Sequence, residues 1–509
     1  MIHLRNTKRS KASGLKKLLA DRSIILVSNR GPVEFRRDES GELEVRRGGG
    51  GLISAMTAVS EEAQATWISA AMTDTEYSIA QDGSILNFPE EDPLYQIRLI
   101  DIPKIIYNRY YNIISNPLLW FVHHYMWNFA EDPSITAEVH RAWHEGYVIA
   151  NKLFAKAAIE ESVKHSSPLI MLQDYHLFVA AKYIREQTSE PFLFHFTHIP
   201  WAEPDYLRVL PHEIRLQLME GMLSNDLIGF QSRNYAHNFL LCCKTMVDCT
   251  VNWRKRTVLW QGREIYVRTY PISIDHNNLQ RISESPDVLT YESKFIERNQ
   301  GVSLIVRTDR SDPSKNIVRG FKAYEILLSK HPELREKVKF LALLYPTREN
   351  VKEYKDYRNE IEATVDEINQ RYKTDNWLPI FLRLEDNYIE SVAALKQYDV
   401  LLVNPIFDGM NLVSKEGPII NTRNGVLVLS ENAGAGAELS NASLVVNPFD
   451  VEQTADAMYR ALVMPGYEKQ MRNDYLKEVV KQNDSSKWLY SQLKDITRLE
   501  KKQVVISTR

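Results

Sequence analysis

The sequence predicts an α/β protein made of two successive doubly wound parallel sheets. Three observations carry this. Short apolar runs that read as buried strands alternate with stretches of helical periodicity along most of the chain, the rhythm of a parallel sheet covered by helices. That rhythm pauses around Tyr270-Pro271-Ile272 and then starts again. The chain is 509 residues long, enough for about two or three domains.

Taken in order, residues 1–22 form a basic arm with Lys8, Arg9, Lys11, Lys16 and Lys17 and no acid before Asp21. It reads as a solvated arm or short helix, with a transit peptide as the alternative. Residues 23–272 form the first domain. Ser23 to Ser28 is its opening strand, residues 33–46 alternate as a hairpin around Glu39-Ser40-Gly41, and a glycine run, Gly48 to Gly51, leads into a helical pattern from Leu52. Strands follow at Leu169–Leu172 and Phe192–Thr197, with helical periodicity over Thr136–Lys164 and Leu177–Glu186. Tyr266–Asp275 is the crossing to a second domain, residues 273–466, with strands at Ser303–Arg307, Lys339–Leu344, Pro379–Leu384, Val400–Pro405, Val426–Ser430 and Leu444–Asn447. Residues 467–509 are polar and helical without a strand, and are expected to pack back on the first domain. Two such sheets imply a cleft between them as the place for a ligand.

Composition narrows the function. Hydrophobic residues make up 44% and charged residues 25%, as in a soluble globular enzyme. A net charge of −3 gives no reason to expect nucleic acid or an anionic membrane as partner. The three cysteines, Cys242, Cys243 and Cys249, suit neither a disulfide framework nor a zinc site, and point to a reduced, cytoplasmic setting. No apolar run approaches the roughly 18–20 residues of a membrane span.

The chemistry concentrates at strand ends. Asp408-Gly409-Met410-Asn411-Leu412 follows an apolar strand and opens a helical pattern, where backbone N–H groups can receive an anion. Asp408 and Glu416, eight residues apart, are acids placed to grip hydroxyls, so phosphate and hydroxyls together suggest a sugar nucleotide. Arg310 and Lys315 are two cations at another helix entrance, able to neutralise the diphosphate of a leaving nucleotide. No Asp-x-Asp occurs anywhere in the chain, so neither a metal clamp nor any other cofactor is expected. Arg30 ends the first strand, where its guanidinium forms a salt bridge or forks onto a phosphate; the strand-end location favours the phosphate. Arg348 again follows a strand. Asp174 with His176 is placed to orient a hydroxyl or polarise a water, and His198 emerges before a proline as a donor, whereas His195 reads as buried. By spacing alone, the aromatics Tyr110, Tyr111 and Trp120 to Tyr125 read as core.

Ser28-Asn29-Arg30 with Gly50-Gly51-Leu52, Asp174-Tyr175-His176, His198-Ile199-Pro200, Arg310 with Lys315, Asp408-Gly409-Met410-Asn411-Leu412-Val413 with Lys415-Glu416, and Leu429-Ser430 before Ala433-Gly434-Ala435 together resemble the trehalose-6-phosphate synthase family, in the family's order from about residue 24 to about residue 465. The resemblance implies two Rossmann-like domains facing a central cleft (GT-B type), transfer of glucose with retention, and no catalytic metal. It implies a nucleoside diphosphate glucose, UDP- or GDP-glucose, as donor and glucose 6-phosphate as acceptor. Arg310, Lys315, His198 and Asp408 would be the catalytic set. Gly51, Arg310, Lys315, Asp408, Gly409, Met410, Asn411, Leu412 and Glu416 would hold the donor, with Glu416 on the ribose and Asp408 and His198 on glucose hydroxyls. Arg30, Tyr111, Trp120, Asp174, His176 and Arg348 would hold the acceptor, which moves Tyr111 and Trp120 from core to site. A homo-oligomer, dimer or tetramer, is the family's assembly.

Two positions depart from the family pattern. Ala70 stands where many members carry a second tryptophan near the acceptor, and Phe407 where an arginine usually precedes Asp-Gly. The glycine-rich Arg46–Leu52 stretch and Pro405-Ile406-x-Asp408 resemble the actinobacterial-type branch, some of whose members prefer GDP-glucose. A different phosphorylated acceptor, glycerol 3-phosphate or a cyclitol phosphate, and a non-catalytic sugar-phosphate sensor are the alternatives.

Overall fold

The structure is a computed structural model and describes Leu18 and residues 22–38, 40–47, 65–91 and 93–507, with side chains as far as Lys502. The glycine run with Gly51 and the helical pattern from Leu52 lie outside the described residues. The chain divides into two units, Met1–Ile272 with Ser485–Arg509, and Ser273–Asp484.

The first unit is built on strands whose sequences are apolar without alternation. Strand β1 (Ser23–Val27), β4 (Thr66–Ala70), β7 (Pro168–Gln173), β8 (Phe192–Thr197) and β9 (Leu227–Phe230) are buried over almost their whole length. Such continuous runs belong inside a sheet covered on both faces. With β5 (Ile85–Phe88), β6 (Tyr95–Ile100), β10 (Thr250–Asn252), β11 (Thr257–Trp260) and β12 (Arg263–Thr269) they form one sheet, in the order β10-β11-β12-β9-β8-β7-β1-β4-β6-β5. Its centre is parallel and its two edges antiparallel. The expected hairpin is β2 (Val33–Arg37) paired with β3 (Leu43–Arg47), turning at Gly41 with φ +84°. Because β1 lies between β4 and β7, the strand order reverses there, and the carboxyl ends of β1, β7 and β8 gather Arg30, Asp174 and His198.

The second unit has six parallel strands: β13 (Ser303–Arg310), β14 (Val338–Tyr345), β15 (Ile380–Leu384), β16 (Val400–Val403), β17 (Val426–Ser430) and β18 (Leu444–Val446), ordered β15-β14-β13-β16-β17-β18. Ile305, Leu402 and Val428 of the sheet pack with Phe321, Tyr324 and Leu327 of the helix Ile317–Lys330 and with Ile361 and Val365 of Lys352–Tyr372. Each such fully buried side chain contributes roughly 1.5–3 kcal/mol. The order reverses at β13, so Arg310, the Tyr345–Arg348 turn and the loop after β16 share one end of the sheet.

Helix Gly466–Gln482 belongs to the second unit, whereas Ser485–Ser507 belongs to the first. Within the first unit Trp488 Nε1 donates to the carbonyl of Tyr270 at 3.1 Å, and its ring stands edge-on to Phe196 with centroids 5.3 Å apart. Tyr270 Oη donates to Asp495 at 2.8 Å.

One local expectation is corrected. The helix after Asp408 begins only at Val413, because Asn411 takes the left-handed conformation with φ +67° and ends any helical course through the turn. Asp408 and Glu416 therefore do not ride on one helix; Asp408 sits in a turn and Glu416 in the helix's first turn.

Candidate active site

At the end of the second unit's sheet, the cations Arg307, Arg310, Lys315 and Arg348 gather with the acids Asp309, Asp312 and Asp408. Strand β13 runs on through Arg310, in register with Tyr345. Asp312 then starts a tight turn, Pro313–Lys315, and Asn316 (φ +59°) redirects the chain into the helix Ile317–Lys330. Asn316 can hold that left-handed conformation because its amide donates to the carbonyls of Asn404 at 3.0 Å and Pro448 at 2.7 Å. Lys315 Nζ donates to Asp408 Oδ2 at 2.5 Å, with the two side chains 11% and 14% exposed. The same oxygen accepts from Asn411 Nδ2 at 3.1 Å. Lysine and aspartate are thus held as a mostly dry pair that still faces solvent.

Behind this pair lies Arg307, fully buried. Its Nε donates to Asp309 Oδ2 at 2.9 Å, and its Nη2 donates to the carbonyl of Lys315. Burial pushes the Asp309 carboxyl up, opposed by the charges of Arg307 and Lys315. Arg348, another left-handed residue (φ +51°), donates from Nη1 to Asp312 Oδ2 at 3.1 Å and to Tyr354 Oη. Arg310 counts Arg348 and Asp312 among its charged neighbours.

The loop 408–412 is fixed from behind by the segment after β17. Asp408 N–H donates to Asn432 O at 3.2 Å, Gly434 N–H to Asp408 O at 3.1 Å, and Ala435 N–H to Met410 O at 3.0 Å. Lys415 is buried and paired with Glu438 at 2.6 Å, a structural bond at the helix base. Glu416 is half-buried, and burial pushes its carboxyl up to about 7.

The first unit holds most of the remaining expected residues. Exposed Arg30 donates to Tyr111 Oη at 3.4 Å, its guanidinium carbon 5.9 Å from the ring centroid. Tyr111 is stacked between Tyr107 (5.5 Å, 16°) and His176 (5.8 Å, 8°). Trp120 is almost buried, on His124 at 4.0 Å and beside Tyr175 at 5.5 Å. Asp174 adopts φ +68°, which turns its Oδ1 to accept the His198 N–H at 3.0 Å. Asp174, Asn316, Arg348 and Asn411 are four non-glycine residues with positive φ at these strand ends, conformations that persist where surrounding bonds over-determine them.

His198 is held by two amides. Ile272 N–H donates to Gln231 Oε1 at 2.9 Å, so Gln231 presents its Nε2 to His198 Nδ1 at 3.3 Å. The imidazole then carries its proton on Nε2 and donates it to Gln173 Oε1 at 3.0 Å. Burial pulls its pKa down to about 3, so the ring stays neutral. Expected as a partner for sugar hydroxyls, His198 has both nitrogens occupied within the first unit, and a hydroxyl would reach it by replacing Gln173.

The structure thus brings Lys315, Asp408 and Asn411 together, with Arg310 on the same end of the sheet and Glu416 in the following helix. It places Arg348 beside Arg310 in the second unit, whereas Arg30, Tyr111, Trp120, Asp174 and His176 belong to the first. Sequence reasoning passed over Asp312, Gln231 and the Arg307–Asp309 pair. The first of these had a signal: an aspartate before Pro-Ser reads as a cap. Among the described residues no group of three His, Cys, Asp or Glu side chains is arranged to hold a metal ion, and no helix is long and apolar enough to cross a membrane.

Comparison with known proteins gives this site its context. The pattern of glycosyltransferase family 20 matches residues 22–498. The UDP-forming α,α-trehalose-phosphate synthase of Schizosaccharomyces pombe is 33% identical over 497 residues, spanning 94% of this chain and 91% of the relative. Synthase 1 of Aspergillus fumigatus, also UDP-forming, is 32% identical over 491 residues, with 94% and 90% covered. Among solved structures, an E. coli trehalose-6-phosphate structure bound with UDP-2-fluoro glucose superposes with a TM-score of 0.81 at 27% identity, covering 93% of this chain and 98% of that one. The Burkholderia xenovorans synthase in complex with glucose-6-phosphate gives 0.80 at 28% identity, covering 94% and 100%. The fold is the expected α/β class of GT-B type, with two Rossmann-like domains.

Proposed function

Because the chain belongs to glycosyltransferase family 20, we propose that it transfers glucose from a nucleoside diphosphate glucose to the anomeric hydroxyl of glucose 6-phosphate, forming trehalose 6-phosphate. The relatives quoted are UDP-forming synthases matched over nearly their full length, and structures of such proteins carry a UDP-sugar or glucose 6-phosphate. The observation that carries the reading at residue level is the Lys315–Asp408 pair at the sheet end that also carries Arg310: a cation for a departing diphosphate and a carboxylate for a sugar hydroxyl.

The bond from the donor's anomeric carbon to the β-phosphate oxygen breaks, and the acceptor's anomeric oxygen bonds to that carbon on the same face. The acceptor's proton passes to the departing phosphate oxygen. Lys315 and Arg310 hold the charge that develops on the diphosphate. Asp408 and Glu416 orient the donor's glucose and ribose hydroxyls, with Gly409, Met410, Asn411, Leu412 and Gly51 approaching through backbone. His198 belongs beside the donor glucose. Arg30 and Arg348 take the acceptor's phosphate; Tyr111, Trp120, Asp174 and His176 line its sugar.

UDP-glucose is the first donor to try, since the quoted relatives are UDP-forming. The Arg46–Leu52 and Pro405-Ile406 stretches support the actinobacterial-type branch and make GDP-glucose the second. Ala70 ends β4 with its N–H donated to Asn29 O at 3.2 Å, and an alanine where many family members carry tryptophan keeps other phosphorylated acceptors in the comparison. The test is nucleotide release and product identity for UDP- and GDP-glucose against glucose 6-phosphate, glycerol 3-phosphate and a cyclitol phosphate, in excess chelator. Trehalose 6-phosphate is expected at undiminished rate; loss restored by magnesium would defeat the metal-free reading, and no release with any pair would leave a sensor. A dimer or tetramer is proposed, to be read by light scattering.

Glu416 sets an expected pH dependence. Its carboxyl titrates at about 7 without ligand, and only the carboxylate accepts two ribose hydroxyls. Donor binding therefore releases a proton, and the donor KM is expected to rise as pH falls through 7. A donor KM that stays flat across that range would remove Glu416 from the ribose.

A further inference from the structure

One carboxylate that sequence reasoning did not single out bonds the arginine proposed for the acceptor phosphate and caps the turn that carries the lysine proposed for the diphosphate. Asp312 is wholly buried, so water does not compete for its oxygens. Oδ1 accepts from the N–H of Ser314 at 2.9 Å and from Ser314 Oγ at 2.8 Å. Together with the Lys315 N–H donated to the Asp312 carbonyl at 2.9 Å, these bonds fix the turn that carries Lys315. Oδ2 faces the other way, accepting Arg348 Nη1 at 3.1 Å and Tyr354 Oη at 3.3 Å. The Arg348 side chain is 4% exposed, and its Nη1 also donates to Tyr354 Oη.

We propose that Asp312 is a positioning residue that couples donor and acceptor binding: one carboxylate oxygen, through Ser314, fixes the turn that carries the diphosphate lysine, and the other holds the acceptor-phosphate arginine. The proposal rests on the reaction assigned above. A phosphate that docks on Arg348 draws on the charge Asp312 neutralises, and the carboxylate can shift only with the turn that aims Lys315. Each substrate thereby biases the other's cation, and the effect is reciprocal.

Asparagine in place of Asp312 separates the two sides. Ser314 N–H can only donate, so the amide oxygen stays at the turn, where asparagine caps as well as aspartate. The NH2 group then meets Arg348, donor against donor. The experiment is titration calorimetry of UDP with and without glucose 6-phosphate, on the wild type and Asp312→Asn, with KM for glucose 6-phosphate measured alongside. In the wild type, glucose 6-phosphate is expected to tighten UDP by at least about fivefold, the lower range of such couplings. In the variant, UDP alone should bind within about twofold of wild type, the coupling factor should fall to about one, and the acceptor KM should rise about tenfold or more.

A purely structural aspartate would lower melting temperature and both affinities together while leaving the coupling factor unchanged, and that result overturns the proposal. So does a wild type without coupling. If Asp312→Asn does not fold, Tyr354→Phe removes one donor from the same oxygen and keeps the charge. It should reduce the coupling about two- to threefold, and an unchanged factor there also overturns the proposal. A wild type that turns over no sugar would instead sink the assigned reaction, which the activity comparison reads independently.

Discussion

Lys315→Ala is expected to lower kcat about a thousandfold while the protein remains folded. The substitution breaks a close ion pair. Lys315 Nζ lies 2.5 Å from Asp408 Oδ2, and the two side chains are 11% and 14% exposed. Alanine removes the cation proposed for the leaving diphosphate and leaves the Asp408 carboxylate still accepting from Asn411. A negative charge then stands where negative charge must develop, so the variant loses an attraction and gains a repulsion. Stability should change little, because the turn is fixed by Asp312 and by the bond from Arg307 to the Lys315 carbonyl, neither of which uses the ammonium. Steady-state kinetics with a thermal melt checks this. A kcat within tenfold of wild type would remove the electrostatic account of the reaction.

Gly434→Ala is expected to be nearly as damaging without touching any charged group. A Cβ at position 434 would lie 1.8 Å from the carbonyl oxygen of Gly409 and 2.8 Å from its carbon. Both are backbone atoms and cannot swing aside. The loop 408–410 is tied to this segment by the bonds from Gly434 and Ala435, so it must move as a body and take Asp408 away from Lys315. Overpacking of this kind costs about 1–3 kcal/mol, and a displacement near 1 Å in a positioned group costs about a hundredfold in rate. A drop in kcat/KM of about a hundredfold with a lowered melting temperature is the expected result. Gly436→Ala is the control, since a Cβ there meets nothing within 4 Å. If both variants behave alike, the close approach at Gly434 does not govern the loop.

The residues that sequence reasoning found and missed differ in a physical way. Buried parallel strands are continuous apolar runs, so β1, β8, β13 and β17 could be read directly, and the cations at their carboxyl ends came with them. The antiparallel edge β10 to β12 is half exposed, with Thr250, Asn252 and Leu259 facing solvent, and its pattern gave no strand. The helix start after Asp408 was misjudged because one left-handed asparagine outweighs local propensity. Asp312 and Gln231 escaped notice, and Gly434 stood in a family motif without a role, for a shared reason. Their partners, Arg348, Ile272 and Gly409, lie far along the chain, and only the assembled sheet brings them within reach. Trp120 shows the opposite case: by spacing it read as core, and it is almost buried, so its role at a sugar rests on family resemblance.

His198, clasped between Gln231 and Gln173 with a pKa near 3, bears on where the acceptor's proton goes. Burial keeps this imidazole neutral across the neutral range and makes it a weak base. This fits the proposed passage of the acceptor's proton to the substrate's own departing group, and mildly acidic buffers should alter the rate through Glu416, the carboxylate proposed for the ribose, rather than through histidine.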